Sequence, residues 1–206
     1  MRTHLRVSAL FALLSIGLGC SGDSPVSPAG QTRAPQHGLV SGLVQLDVLQ
    51  RLVPLGQGFS ASATIGSAGG SLRIPAAGVT VTFPSGAVAA PVNVRVTAVP
   101  GSNVAYEFEP HGLVFQKPVT VAQDLGLTEV VQSLLNAQGL EGAYFADASQ
   151  LGDGTVTAQE EIPATVELLR MRMTFPIRHF SGYTASKKGG YITSSGTRLP
   201  VDRTSR

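Results

Sequence analysis

From residue 60 onward, apolar and polar residues alternate with a period of two, the spacing of a strand that shows one face to a core and the other to water. "VTVTF" turns Val79, Val81 and Phe83 to one side, "VNVRVTA" does the same with Val92, Val94 and Val96, and "VTV" with Val119 and Val121. Further on, "ATVELLRMRMTFPI" sets Met171, Met173, Phe175 and Ile177 against Arg170, Arg172 and Arg178. Pro84, Gly86, Pro91, Pro100-Gly101, Pro110, Gly112 and Pro118 cut the stretch into short pieces, and Asp153-Gly154 is a two-residue hairpin turn into "TVTA". The pattern predicts an all-β fold, a β-sandwich of short antiparallel strands. One short helical insertion is expected in "TEVVQSLLNAQG", with Thr128 as N-cap, Val130, Val131, Leu134 and Leu135 on one side and Gly139 as the stop.

Ahead of residue 60 the period changes. Leu39, Leu43, Leu46 and Leu49 recur at spacings of three and four, which predicts a short helix with one apolar stripe, docked on the domain or in contact with a bilayer or partner. "SGDSPVSPAGQTRAPQHG" has no apolar period and reads as a flexible tether. At the start, Arg2 and Arg6 precede an apolar run from Val7 to Leu18, shorter than the roughly 20 residues that span a bilayer. That is the layout of a signal peptide. The expected organisation is therefore a signal peptide at 1–19, a tether with a short apolar segment at 20–59, the sandwich at 60–186 and a basic disordered tail at 187–206.

Composition sharpens this reading. The 206 residues are 43% apolar and 14% charged, with 24 Gly and 13 Pro, as suits a turn-rich β-domain. Removing Arg2 and Arg6 with the signal takes the basic residues from 15 to 13, equal to the 13 acidic ones. A neutral mature chain lacks the basic face that displaces counterions from phosphates, which argues against a nucleic-acid partner.

The only cysteine, Cys20, stands where the signal should be cut, so no disulfide within the chain is possible. Gly19-Cys20 resembles the end of a bacterial lipoprotein signal, in which the thiol receives a diacylglyceryl group and the cysteine becomes the first mature residue. That family places leucine three positions before the cysteine; here Gly17 occupies that place and Leu18 lies closer. The alternative is an ordinary secretory cut, which the small residues Gly17 and Gly19 also suit, releasing a soluble protein with a terminal thiol. Lipidation is the expectation retained, with two or more acyl chains holding the protein on a membrane.

"IGSAGGSLRIPAAGVTVTFPSGAVAAPVNVRVTAVPG" followed by "FEPHGLVFQKPVTV" resembles the ZU-five domain, the β-sandwich of ankyrins, netrin receptors and zonula occludens proteins that also occurs in bacterial envelope proteins. The likeness spans roughly residues 64–122. It lies in Gly69-Gly70 before a short strand, Gly78-Val79 entering the next and Pro84-Ser85-Gly86-Ala87 closing it. Pro110-His111-Gly112-Leu113 and Phe115 before Pro118-Val119 complete it. The resemblance implies a scaffold or interaction surface with no cofactor and no substrate pocket.

Candidate chemistry is sparse. "GSAGGS" is followed by no Lys-Ser/Thr and no helix, so it reads as a turn rather than a phosphate loop. His37, His111 and His179 are too scattered to hold a metal, and Glu107 with Glu109 and Glu160 with Glu161 read as solvated faces. His179-Phe180-Ser181 resembles the self-cleaving tripeptide of some ZU-five-containing death-domain proteins and of a nucleoporin. It implies that Ser181 Oγ attacks the Phe180 carbonyl while His179 takes the proton, and water releases the ester. The alternation predicts His179 and Ser181 side by side on one strand face, near a bend or bulge at Pro176, with no oxyanion donor to name. The competing reading has Phe180 and Tyr183 filling the end of the core.

The reading as a whole is an exported, lipid-anchored envelope protein, facing away from the cytoplasm, whose sandwich serves as a binding or structural module. It is not an enzyme and takes no cofactor; its partners are a membrane, through Cys20, and an envelope protein. The alternatives are self-processing at Phe180-Ser181 and a secreted sugar-binding sandwich. A chain with no Trp and four Tyr offers little of the aromatic platform that sugars need.

Overall fold

A computed structural model describes residues 43–187 apart from 138. The expected signal peptide and tether up to residue 42, with Cys20, His37 and Leu39, and the basic segment from 188 onward lie outside the described residues. In chain order the strands are β1 (Val44–Val48), β2 (Gln50–Leu55), β3 (Phe59–Ile65), β4 (Gly70–Ile74), β5 (Val79–Phe83), β6 (Val92–Ala98), β7 (Gly101–Asn103) and β8 (Ala105–Glu109). They continue with β9 (Val114–Asp124), β10 (Leu140–Phe145), β11 (Thr155–Ala158), β12 (Glu160–Pro163), β13 (Thr165–Glu167), β14 (Arg172–His179) and β15 (Gly182–Lys187).

The alternation works as expected where it was strictest. Val79, Val81, Phe83, Val94, Val96, Val119, Val121, Met173, Phe175 and Ile177 all point into one buried cluster. Their outward neighbours Thr82, Arg95 and Thr120 remain exposed. A five-stranded antiparallel sheet runs β13-β14-β9-β5-β4, and an eight-stranded one is organised around β15. β15 has β10 along one side and β8 and β1 end to end along the other. From β8 that sheet continues through β6 to its edge at β3, while β1 carries β11 and β10 carries β12. Between the strands β3 and β4, Gly69 adopts φ 80°, and a Cβ there would fall 2.2 Å from the Phe83 carbonyl oxygen. Only glycine fits this turn.

Three expectations need correction. Residues 43–55 form strands, not a helix: Leu46 and Val48 lie two apart on the inner face of β1, and Leu49, where the chain passes into β2, turns into the main core. Leu43 is exposed, so the spacing of three and four does not mark one buried stripe. Because β1 pairs with β11 and β15, the sandwich begins at Val44 and not near residue 60. The insertion after β9 is not an α-helix but a run of 3₁₀ turns at Leu125–Leu127, Glu129–Val131 and Leu134–Ala137. Its amides reach back three residues, Val131 to the Thr128 carbonyl at 3.1 Å and Gln132 to Glu129 at 3.1 Å. The Thr128 hydroxyl caps as expected, accepting from the Val130 amide at 3.4 Å. Val130 is buried whereas Val131 and Leu134 are exposed, so no single apolar face draws the segment into a longer helix. Finally, "ATVELLRMRMTFPI" is two strands. Leu168–Arg170 makes a 3₁₀ turn and Met171 takes φ 47°, which folds β13 back on β14.

Candidate functional site

His179, Phe180 and Ser181 form the crossover that carries the chain from β14 in one sheet to β15 in the other. The register against β9 shifts between Ile177 and His179, the bulge expected near Pro176. Phe180 enters the core, its ring 4.9 Å from Phe115, 5.2 Å from Phe108 and 6.0 Å from Phe83 between centroids. Gly182 lets the crossover pass close to Phe145, whose ring would lie 2.1 Å from an added Cβ. The reading of Phe180 and Tyr183 as core residues matches their burial at 1% exposure each.

The His179 and Ser181 side chains are engaged by different partners. Ser181 Oγ donates to the Phe145 carbonyl at 3.3 Å, while the His179 ring lies against Tyr144, at 4.9 Å, and meets the Tyr183 hydroxyl at 3.2 Å from Nδ1. That hydroxyl donates to the His179 carbonyl at 2.7 Å. A serine hydroxyl has one proton, so Ser181 cannot give it to a carbonyl and an imidazole together. One expectation fails in the other direction: the Gly112 amide donates to the Phe180 carbonyl at 2.9 Å, where an oxyanion donor would stand. The rest of the crossover is tied down, with the Phe180 amide donating to Leu113 O at 2.8 Å and the Phe108 amide to Ser181 O at 3.1 Å. Met171 is the non-glycine residue with positive φ among the described residues, so the crossover holds no strain of that kind.

The other sequence candidates are dispersed. His111 is exposed in the turn before Gly112. Glu109 faces Arg95 at 3.7 Å, and Glu160 and Glu161 lie on the outlying strand β12. No group of three or more His, Cys, Asp or Glu among the described residues is placed to hold a metal.

Two features escape a reading of the sequence. The first is a buried polar network. Arg51 is only 6% exposed, and its guanidinium donates to the carbonyls of Val99, at 3.2 Å, Gly101, at 3.3 Å, and Asn103. It lies 5.9 Å from the centre of the Tyr106 ring, whose hydroxyl donates to Gln123 Oε1. Burial lowers the Arg51 pKa and raises that of Tyr106, each opposed in part by the other group. Burial also raises Tyr183, helped by the Glu160 carboxylate and by Tyr144.

The second is an apolar end. Seven of the nine exposed large apolar side chains among the described residues, all but Leu43 and Val114, are Leu52, Val53, Leu127, Val131, Leu134, Leu168 and Leu169. β2 abuts the first two 3₁₀ turns, with Arg51 bridged to Thr128, so the strand that carries Leu52 and Val53 neighbours the turns that carry Leu127 and Val131. The Leu125 amide donates to the Met171 carbonyl at 2.7 Å, so the Leu168–Leu169 tip belongs to the same end. A shallow groove of about 340 Å³ opens beside it, lined by Arg73, Asp124, Arg170 and Arg172. Charges around it are partly paired, Arg170 with Glu167 and Lys187 with Glu129, each at 2.7 Å.

Comparison with known proteins bears on the middle of the fold. Residues 61–104 match the model of the ZU5 domain. The match takes in most of β3 and all of β4 to β7, the part of the resemblance that begins near residue 64, and stops before the Pro110-His111-Gly112-Leu113 turn. No curated protein matches the chain. The match suggests a protein-interaction module.

Proposed function

We propose that this chain is an exported, lipid-anchored cell-envelope protein, facing away from the cytoplasm, whose sandwich binds an envelope protein through its apolar end. The observation that carries the reading is that neighbouring elements, β2, the 3₁₀ turns and the β13–β14 turn, bear seven exposed apolar side chains beside a groove with three arginines. An apolar centre with an Arg-bearing rim has the anatomy of a protein interface, and the ZU5 match to residues 61–104 supports the same class of function. The anchor rests on the sequence at Cys20. The experiment is fractionation and crosslinking of native envelopes. Wild type should sediment with membranes and give a discrete crosslinked adduct; Cys20→Ser should become soluble, and Val131→Asp with Leu134→Asp should lose the adduct while staying folded. A soluble wild type whose terminal thiol reacts with maleimide would instead indicate ordinary secretion.

In this reading the Phe180-Ser181 bond stays intact, because Ser181 donates to Phe145 while His179 is engaged by Tyr183. Denaturing mass spectrometry should find the chain continuous through Ser181. A break after Phe180 that vanishes in Ser181→Ala would establish self-processing instead.

A further inference from the structure

We propose that the outer edge of β3 is a self-pairing surface, on which a second copy of this chain docks its own β3 antiparallel about a twofold axis through Ser62. β3 ends the eight-stranded sheet, paired along its whole length to β6 and, among the described residues, to no strand on its other side. An unpaired edge offers a row of amides and carbonyls to any extended chain, and sheets normally guard such edges with charges, prolines or bulges. The other edges of the two large sheets carry such guards: Arg73 in β4, Glu160, Glu161 and Pro163 in β12, and Glu167 in β13. β11 is covered by the bridge between Leu151 and Val156. β3 has none. From Leu52 to Leu72 the chain bears no charged residue, and the strand itself reads "FSASATI".

The identity of the occupant follows from that string, which is nearly symmetric about its centre. Antiparallel pairing about Ser62 sets Phe59 against Ile65 of the second copy, Ser60 against Thr64, Ala61 against Ala63, and Ser62 against itself. Directly opposed residues share a face, so each inward residue meets an inward one. Phe59, Ala61 and Ala63 are half-buried against the main core and would be covered by the added strand. On the outer face Ser60 Oγ already lies 2.8 Å from Thr97 Oγ1 of β6, and the pairing would repeat such hydroxyl contacts between Ser60 and Thr64. No like charges oppose each other, and an isologous contact of this kind closes at two copies.

The test uses the mature chain carrying Cys20→Ser, so that the only thiol is an introduced one. Ser62→Cys should form a disulfide-linked dimer on mild oxidation, because directly opposed residues lie about 4.5–5.5 Å apart at Cα, within disulfide range. Ser60→Cys should not, since its own counterpart is four residues away along the strand, but Ser60→Cys together with Thr64→Cys should. In sedimentation the Cys20→Ser protein should show twice the monomer mass, and Ser62→Glu, with an unchanged circular dichroism spectrum, the monomer mass. A monomeric Cys20→Ser protein would overturn the proposal. So would a dimer that survives Ser62→Glu or that crosslinks equally through Ser60→Cys.

Discussion

Phe180 touches three other aromatic rings, and its loss should be felt throughout the core: Phe180→Ala should lower stability by about 3–5 kcal/mol, read from the urea midpoint. Ser181→Ala removes a single hydrogen bond and should cost about 1 kcal/mol. The buried tyrosines make a separate prediction. Tyr106 and Tyr183 have native pKa values above that of an unfolded phenol, so their contribution is complete below about pH 10 and is lost as pH rises towards the native values. The urea midpoint should therefore fall above pH 10 and fall less steeply in Tyr106→Phe. That Phe180 and Tyr183 belong to the core was legible in the sequence, since both are large apolar rings beside a strand. The role of Arg51 was not. An arginine between Gln50 and Leu52 looks like surface, and the carbonyls that receive it, at Val99, Gly101 and Asn103, lie some fifty residues downstream.

At the scale of elements, strands with strict alternation were legible because each residue's face is fixed by its neighbours two positions away. The segment around Leu43, Leu46 and Leu49 misled because leucines three apart suit a helix, while Leu46 and Val48 two apart suit the strand that forms. What decides is the pairing of β1 with β11 and β15, which no local window contains. The consequence is measurable. A fragment of residues 43–187 should fold with a β-type circular dichroism spectrum, whereas one of residues 60–187 should be unfolded or strongly destabilised, having lost Leu46, Val48 and Leu49. The 3₁₀ turns after β9 behave in the opposite way. Val131 and Leu134 are exposed there, so Val131→Asp and Leu134→Asp should each change stability by no more than about 0.5 kcal/mol.

For the whole molecule, the fold class was legible and the proposed binding surface was not. An apolar end is assembled from β2, the 3₁₀ turns and the β13–β14 tip, segments far apart in sequence, and each of its residues alone reads as an ordinary core position. The tripeptide was conspicuous as a motif, yet the side chains it needs together are held by different partners, Ser181 by Phe145 and His179 by Tyr144 and Tyr183. Recognition through the apolar end is the proposed role, and site-specific photo-crosslinking in intact envelopes can detect it. A photoreactive phenylalanine at position 131 should give one discrete adduct with an envelope protein, and the same group at Gln116, exposed on β9, should give none. No adduct from position 131, or the same adducts from both positions, would rule out recognition through this end.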